Sequence, residues 1–155
     1  MCSCSGLCVS NKHVHVDSFY LSSHTKLMLF YLFTSGVAAF SDISQPVSVQ
    51  TQKLGDSATI RCYIKSTMTK RVWYRVTTGR RLELVATLDS RYNRSVLADE
   101  FQHRYSVKFD SINNHLSITA TLWDDVGTYF CGVMYLNNIQ FGSGTFLMLR
   151  GTHSL

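Results

Sequence analysis

Two isolated cysteines are the residues of this sequence best suited to chemistry. Cys62 lies in "TIRCYI", and Cys131 ends the stretch "DDVGTYFC" much further along the chain. An isolated cysteine can act as a nucleophile, ligate a metal, fill a small buried space or form half of a disulfide. Each role predicts a different kind of protein, so the surrounding sequence has to decide between them.

No other set of residues completes a catalytic or metal-binding pattern. Cys2, Cys4 and Cys8 form "CSCSGLC", which offers three thiols and no fourth ligand at a usual spacing. The six histidines show no metal spacing such as H-E-x-x-H. The sequence also lacks a G-x-S-x-G motif and a phosphate-binding glycine loop. We therefore predict a protein that is not an enzyme and that uses no metal and no cofactor.

Length and composition favour a single domain built from strands. The 155 residues suffice for one domain with a real core, and we expect an additional segment at the N-terminus. The 15 Lys and Arg residues exceed the 10 Asp and Glu residues and give a formal charge of +5, without a long basic block. This charge is compatible with binding an anionic surface but does not demand it.

Residues 1–41 are predicted to be a prefix followed by a secretory signal peptide. From Lys26 the chain reads "KLMLFYLFTSGVAAFSD", one positive charge followed by a short apolar run and small residues. That order is typical of a signal peptide, with Ala39 at one of the positions that a signal peptidase reads. Because residues 1–25 are an unusual prefix, we favour translation from Met28 over a signal peptide with an unusually long n-region. A type II signal anchor is the alternative, and the shortness of the apolar run counts against it.

Export changes the interpretation of Cys62 and Cys131. An exported chain passes through an oxidising compartment, where isolated cysteines tend to pair. We therefore expect a secreted protein or a domain on the extracellular face of the plasma membrane, and no nucleic-acid partner. The sequon "NRS" then predicts N-glycosylation of Asn93.

Alternating apolar and polar residues predict an all-β sandwich of two antiparallel sheets. The segment "SATIRCYI" places Ala58, Ile60, Cys62 and Ile64 on one face, and "HLSITAT" places Leu116, Ile118 and Ala120 inward. A period of two with one apolar face indicates half-buried antiparallel strands. Eight or nine such strands are expected.

The spacing of the cysteines fits a disulfide between the two sheets. Trp73 lies eleven residues after Cys62, and an indole packed against a Cys62–Cys131 disulfide explains why both cysteines occupy apolar strands. In "D-x-G-x-Y-x-C", Tyr129 is placed to bond back to the preceding corner and Gly127 to allow a tight corner. We expect Asp125 to pair with Arg104 at the start of "RYSVKF".

These residues, together with "VWYR" and "FGSGT", resemble an immunoglobulin variable-type domain. We predict such a domain over residues 42–150, with a short tail at residues 151–155. The segment "GTYFCGVMYLNNIQFGSGTFLMLRG" is most similar to the novel immune-type receptors of bony fish. The resemblance implies a non-catalytic immune receptor that binds a protein or other cell-surface ligand, with a membrane anchor or signalling adaptor only if a longer form exists.

Two other functions fit the same resemblance. One is an antigen-receptor variable region like those of T-cell receptors, and the other is an adhesion domain that binds itself through its strand faces. Val76 occupies the place where antigen-receptor chains usually carry a glutamine that bonds to a partner domain. Obligate pairing is therefore less favoured, whereas a hydrophobic homodimer remains open.

Three loops correspond by position to the contact loops of antigen receptors. We expect ligand contacts from loop 1 (residues 65–70), loop 2 (residues 89–93) and loop 3 (residues 134–139). The residues predicted to contact ligand are Ser66, Thr67, Met68, Thr69, Ser90, Arg91, Tyr92, Met134, Tyr135, Leu136, Asn137 and Asn138. For loop 3 an ordinary hairpin tip is an equally good interpretation. A solvated basic face is favoured over a surface that attracts an acidic ligand, a sialylated glycan or a membrane for the group Lys70, Arg71, Arg75, Arg80 and Arg81.

Overall fold

The computed structural model describes residues 14–15 and 42–151. The predicted signal peptide, Cys2, Cys4, Cys8 and the tail beyond residue 151 lie outside the described residues. Within these ranges the helical segments are two single 3-10 turns, and no helix is long and apolar enough to cross a bilayer.

Thirteen strands make up the described chain. They are β1 (Val14–His15), β2 (Ile43–Ser44), β3 (Val49–Lys53), β4 (Ala58–Ile60), β5 (Tyr63–Ile64), β6 (Lys70–Thr77), β7 (Leu82–Asp89), β8 (Arg94–Leu97), β9 (Tyr105–Phe109), β10 (Asn114–Ile118), β11 (Gly127–Tyr135), β12 (Asn138–Phe141) and β13 (Thr145–Arg150). The 3-10 turns span Asp99–Phe101 and Trp123–Asp125.

The strands form two layers. The large sheet has the order β1, β12, β11, β6, β7, β8, and β13 joins it by pairing with β11 and, in parallel, with β3. The opposite layer contains β4, β10 and β9, together with the short pair of β2 and β5. All pairings except that of β13 with β3 are antiparallel. The predicted sandwich is confirmed.

A disulfide and an indole lie at the centre of the core. Cys62 bonds to Cys131 with 6.5 Å between their Cα atoms, which confirms the predicted pairing. Trp73 is fully buried in the same cluster, and its strand pairs it with Cys131. The predicted inward residues Ala58, Ile60 and Ile64 are also buried, since they alternate with polar residues along β4 and β5.

Two predictions about exposure are wrong. Ala120 is exposed with φ of 49°, because β10 ends at Ile118 and the chain has already turned. The five basic residues also do not form a common solvated face. Arg71 and Arg75 are buried, whereas Lys70, Arg80 and Arg81 are exposed. Arg71 donates hydrogen bonds to the carbonyl oxygens of Asp110 and Ser111, each at 2.8 Å, and so ties the large sheet to the β9–β10 turn.

Candidate ligand-binding site

A buried polar network supports the end of the sandwich opposite loops 1 and 3. The Tyr129 hydroxyl donates a hydrogen bond to the backbone oxygen of Asp125 at 2.7 Å. Arg104 donates two hydrogen bonds to the Asp125 carboxylate, at 2.6 and 2.9 Å, and the Tyr105 hydroxyl donates a third at 2.6 Å. The Leu122 N–H donates a fourth, so the carboxylate is well satisfied although its side chain is only 1% exposed.

These contacts decide the charge of Asp125. Burial alone would raise the pKa of the Asp125 carboxyl, but the hydrogen bonds from Arg104, the Leu122 N–H and Tyr105 hold it below its ordinary value. Asp110 behaves similarly in the exposed β9–β10 turn. There the backbone and side chain of Asn113 and the N–H of Ile112 lower the pKa of Asp110 to about 2.

Acid is therefore expected to destabilise the domain as these two carboxylates protonate. Both pKa values are lower when the chain is folded, so their stabilisation is present above the unfolded pKa of about 3.9. It is lost as the pH falls through the lowered values toward about 2. Urea unfolding between pH 5 and pH 2 should show a shallower acid limb for Asp110→Asn than for the wild type. Identical limbs would contradict this assignment.

Arg75 and Glu83 form a second buried pair that the sequence did not predict. The Arg75 Nε donates to Glu83 Oε2 at 2.9 Å, and the guanidinium also donates to the backbone oxygen of Asp124 at 3.0 Å. Arg81, from the solvent side, pairs with the other Glu83 oxygen. Burial opposes the charge of Arg75, yet the hydrogen bonds with Tyr129 and Glu83 raise its pKa. Arg75 thus stays charged and belongs to the scaffold.

Gly127 is the first residue of β11 and follows the 3-10 turn at Trp123–Asp125 after one residue. A Cβ at this position would come within 2.7 Å of the backbone oxygen of Val76. Close packing of β11 against β6 therefore requires glycine. Gly144 of "FGSGT" lies between β12 and β13 and has a positive φ of 86°. A Cβ at Gly144 would collide with the Phe130 ring.

Gln45 is a buried scaffold residue that the sequence reasoning missed. Its side-chain nitrogen donates to the backbone oxygen of Tyr129 at 2.9 Å, and its side-chain oxygen accepts from the backbone N–H groups of Cys131 and Gly144. These bonds fix the chain before β3 against the strand that carries loop 3. A glutamine in a polar stretch gives no local signal of this role, because its partners come from residues more than 80 positions away.

Loops 1 and 3 meet at the other end of the sandwich and enclose a cleft of about 390 Å³. Five residues predicted to contact ligand line it: Ser66, Thr67, Met68, Tyr135 and Asn138. Tyr135 and Leu136 stand at the tip of loop 3 with 58% and 77% of their surface exposed. Met134 and Asn137 belong to the same hairpin tip but do not line the cleft.

The cleft also includes residues that the sequence reasoning did not select. Val133 and Gln140 face each other across β11 and β12 and line it, as do Asp42 and Lys65. The register of two strands puts Val133 and Gln140 there, and that register cannot be read from the residues alone. The cleft therefore combines apolar surface from Met68 and Val133 with charged and amide groups, the mixture typical of small binding pockets.

Loop 2 lies beside loop 1 but takes no part in the cleft. The Ser90 N–H and hydroxyl both bond to the Thr69 oxygen, at 2.9 and 3.2 Å, and this links the two loops. Arg91, Tyr92 and Asn93 are exposed on the turn that follows. Tyr92 has 72% of its surface exposed, so it is available to a large ligand that spreads beyond the cleft.

The outward face of the large sheet is a second candidate surface. We call it the front face and define it by Tyr74, Leu84, Phe130 and Phe141. The Phe141 ring packs edge-on against Tyr74 at 5.7 Å and against Phe130 at 6.3 Å. Leu84 lies opposite Tyr74 and is 38% exposed. Neighbouring Val76 and Leu82 continue the apolar surface, and Leu82 is 51% exposed.

Comparison with known proteins places this architecture in a family. Residues 44–149 match the family model of the immunoglobulin V-set domain. The chain is also similar to the rabbit (Oryctolagus cuniculus) Ig kappa chain V region 120, with 27% identity over 114 residues, which cover 73% of this chain and the whole of that protein. The matched residues include the disulfide, the Tyr129 corner and loops 1 to 3. The chain therefore belongs to the immunoglobulin V-set domain family.

Proposed function

We propose that this chain is the recognition domain of an immune receptor, displayed outside the cell, that binds a protein or other cell-surface ligand through its loop end. The observation that carries the proposal is the cleft between loops 1 and 3. Tyr135 lines it with 58% of its surface exposed, and the adjacent Leu136 at the tip of loop 3 is 77% exposed. Exposed aromatic residues on loops of a rigid sandwich are typical anchors of a paratope.

The scaffold below the loops suits recognition by a preorganised site. The strands that end in loop 3 carry the disulfide and the hydrogen bonds of Gln45, so the base of the hairpin is fixed. A loop held at its base loses less conformational freedom when a ligand binds, which favours affinity. The finer resemblance to the novel immune-type receptors of bony fish remains part of this proposal and rests on the residues from Gly127 to Gly151.

Loss of the Tyr135 side chain is expected to weaken recognition strongly. We would display the domain as an avid tetramer and screen it against a panel of expressed cell-surface ectodomains. Tyr135→Ala should weaken binding to any ectodomain recognised by the wild type by about ten-fold or more, since buried aromatic anchors dominate such interfaces. Leu122→Ala, at the opposite end and 50% exposed, is the matched control and should bind normally. Equal binding by both variants would reject the loop-end site.

The structure of the gene separates two kinds of receptor. A rearranged antigen-receptor variable region would have the codons for residues 131–145 split between gene segments. Genomic DNA that encodes these residues in a single exon would exclude that alternative and retain a germline-encoded receptor. The ligand would then be a fixed partner rather than a variable antigen.

Pairing through the front face is the second candidate function. Leu82 and Leu84 expose apolar surface beside the rings of Phe130 and Phe141, and Val76 supplies no side-chain hydrogen bond to a partner domain. A homodimer or an adhesion contact would cover this surface. Sedimentation should then show a concentration-dependent dimer that Val76→Asp abolishes and Tyr135→Ala preserves. A strictly monomeric domain at millimolar concentration would reject this candidate.

Asn93 is proposed to carry an N-linked glycan. It is exposed on the turn between β7 and β8 with φ of 48°, and Ser95 of the sequon is exposed as well. Protein secreted from a eukaryotic cell should lose mass on treatment with a glycosidase, and Asn93→Gln should not. A glycan here would cover part of loop 2 and leave the cleft between loops 1 and 3 open.

A further inference from the structure

The outward face of the sheet formed by β4, β10 and β9 carries a row of basic side chains. His115 lies opposite Lys108 in the pairing of β10 with β9. The pairing of Leu116 with Ile60 brings Arg61, the next residue after β4, opposite His115 on the other side. We call Arg61, His115 and Lys108 the basic row. It lies on the other layer of the sandwich from the front face.

The pairing register of three strands fixes the positions of the residues in the basic row. Side chains alternate along each strand, and the neighbours Ile60 and Leu116 are fully buried, so the row points to solvent. Arg61 and Lys108 are exposed, and His115 is partly buried between them. Neighbouring strands lie about 4.8 Å apart, so the backbones of Arg61 and Lys108 are separated by about 10 Å.

His115 is held with one nitrogen available. The Cys62 N–H donates a hydrogen bond to His115 Nδ1 at 3.2 Å, and the Tyr63 ring packs edge-on against the imidazole at 5.1 Å. With Nδ1 accepting, the proton of the neutral ring is on Nε2, and the structure describes no partner for that atom within residues 42–151. His115 therefore presents a fixed hydrogen-bond donor between two cations.

A second row of hydroxyl groups adjoins the basic row on the same face. Thr59, Ser117 and Ser106 lie opposite one another in register, two residues along each strand from Arg61, His115 and Lys108. The Thr59 and Ser117 hydroxyls are 3.0 Å apart and bonded to each other. The face thus offers cations and hydroxyls in parallel lines. None of the large exposed apolar side chains of the described residues belongs to β4, β9 or β10.

We propose that the basic row binds a sulfated polysaccharide of the cell surface or the extracellular matrix. Charge complementarity favours an extended polyanion, because Arg61 and Lys108 lie in line across three paired strands. Insertion into a lipid layer is not favoured, since the described residues of these strands include no large exposed apolar side chain. Hydroxyl groups beside the cations match a ligand that carries both sulfate and hydroxyl groups. Asp110, at the end of β9, is the nearby acid, and its carboxylate is already occupied by Asn113 and Ile112. The inference does not depend on recognition at the loop end.

The test uses heparin as the probe and pairs two charge-matched variants. Arg61→Ser with Lys108→Ser removes the cations of the row, whereas Lys53→Ser with Arg150→Ser removes two exposed cations that are paired on β3 and β13 of the other layer. Isothermal titration across a salt series should show the first variant losing about two units of the slope of log K against log salt. The second should keep the wild-type slope, and fully desulfated heparin should not bind. Thermal midpoints check that both variants are folded.

A proton readout distinguishes the row from general attraction. Burial, followed by the charge of Arg61, lowers the pKa of His115, and the charge of Asp110 opposes this shift. Lys108 and Tyr63 are the other neighbours of His115 on this face. A bound sulfate should raise the pKa of His115 in NMR titrations with heparin. Equal losses from both variants, an unchanged His115 pKa, or tighter binding to phosphatidylserine vesicles than to heparin would each overturn the proposal.

Discussion

Replacing both Cys62 and Cys131 with alanine is expected to lower the free energy of unfolding by about 4 kcal/mol. The disulfide closes a loop with a sequence separation of 69 residues. Its loss therefore raises the conformational entropy of the unfolded chain, which favours unfolding. Both sulfur atoms are also fully buried beside Trp73, and their removal leaves a small cavity. Urea unfolding of the wild type and the double variant measures the difference.

The cavity and the crosslink can be separated. Wild-type protein unfolded in the presence of a reductant loses the crosslink while keeping the sulfur atoms, so it isolates the contribution of loop closure. We expect this reduced protein to account for most of the loss. A double variant within about 1 kcal/mol of the oxidised wild type would show that the disulfide has little part in stability.

Replacing Asp125 with alanine is expected to cost about 3 to 5 kcal/mol of folding stability. The change removes the carboxylate that accepts hydrogen bonds from Arg104, from the Tyr105 hydroxyl and from the Leu122 N–H. These donors lie at the same end of the sandwich as the Tyr129 hydroxyl, which donates to the backbone oxygen of Asp125. Chemical unfolding at neutral pH measures the effect.

Asp124→Ala is the matched control for Asp125→Ala. Asp124 is adjacent and exposed, and only its backbone oxygen receives a described hydrogen bond, from Arg75. Its substitution should change stability by about 0.5 kcal/mol or less. A double-variant cycle of Asp125→Ala with Arg104→Ala should show a coupling of at least about 1 kcal/mol. Additive losses would contradict a paired role for these two residues.

Several structural features were predictable because their signals are local or combine a few strong constraints. The alternation in "SATIRCYI" reflects burial of every second side chain, and the described strands follow it up to Ile64. The disulfide follows from two isolated cysteines in apolar strands of a chain predicted to be exported. The pairing of Asp125 with Arg104 is also present, since a buried carboxylate requires a cation.

Other features depend on tertiary contacts that leave no local mark. The sequence places Arg71 and Arg75 among exposed basic residues, but backbone oxygens and Glu83 from other strands allow both to be buried. Gly127 is required by a close approach of β6, which only the register between strands reveals. The cleft gains Val133 and Gln140 for the same reason, so loop positions alone described only part of the candidate site.

The most direct test of recognition at the loop end is a glycan-wedge experiment on the tetramer screen. Tyr135→Asn with Asn137→Thr creates a sequon at loop 3, Leu82→Asn with Leu84→Thr creates one beside Val76, and Ser106→Asn with Lys108→Thr creates one on the basic row. All six positions are exposed, so each sugar can be attached without disturbing the core. We expect that only the glycan on loop 3 abolishes binding to the ectodomain ligand. Binding that survives the loop 3 glycan and is lost with the one at Leu82 would contradict it.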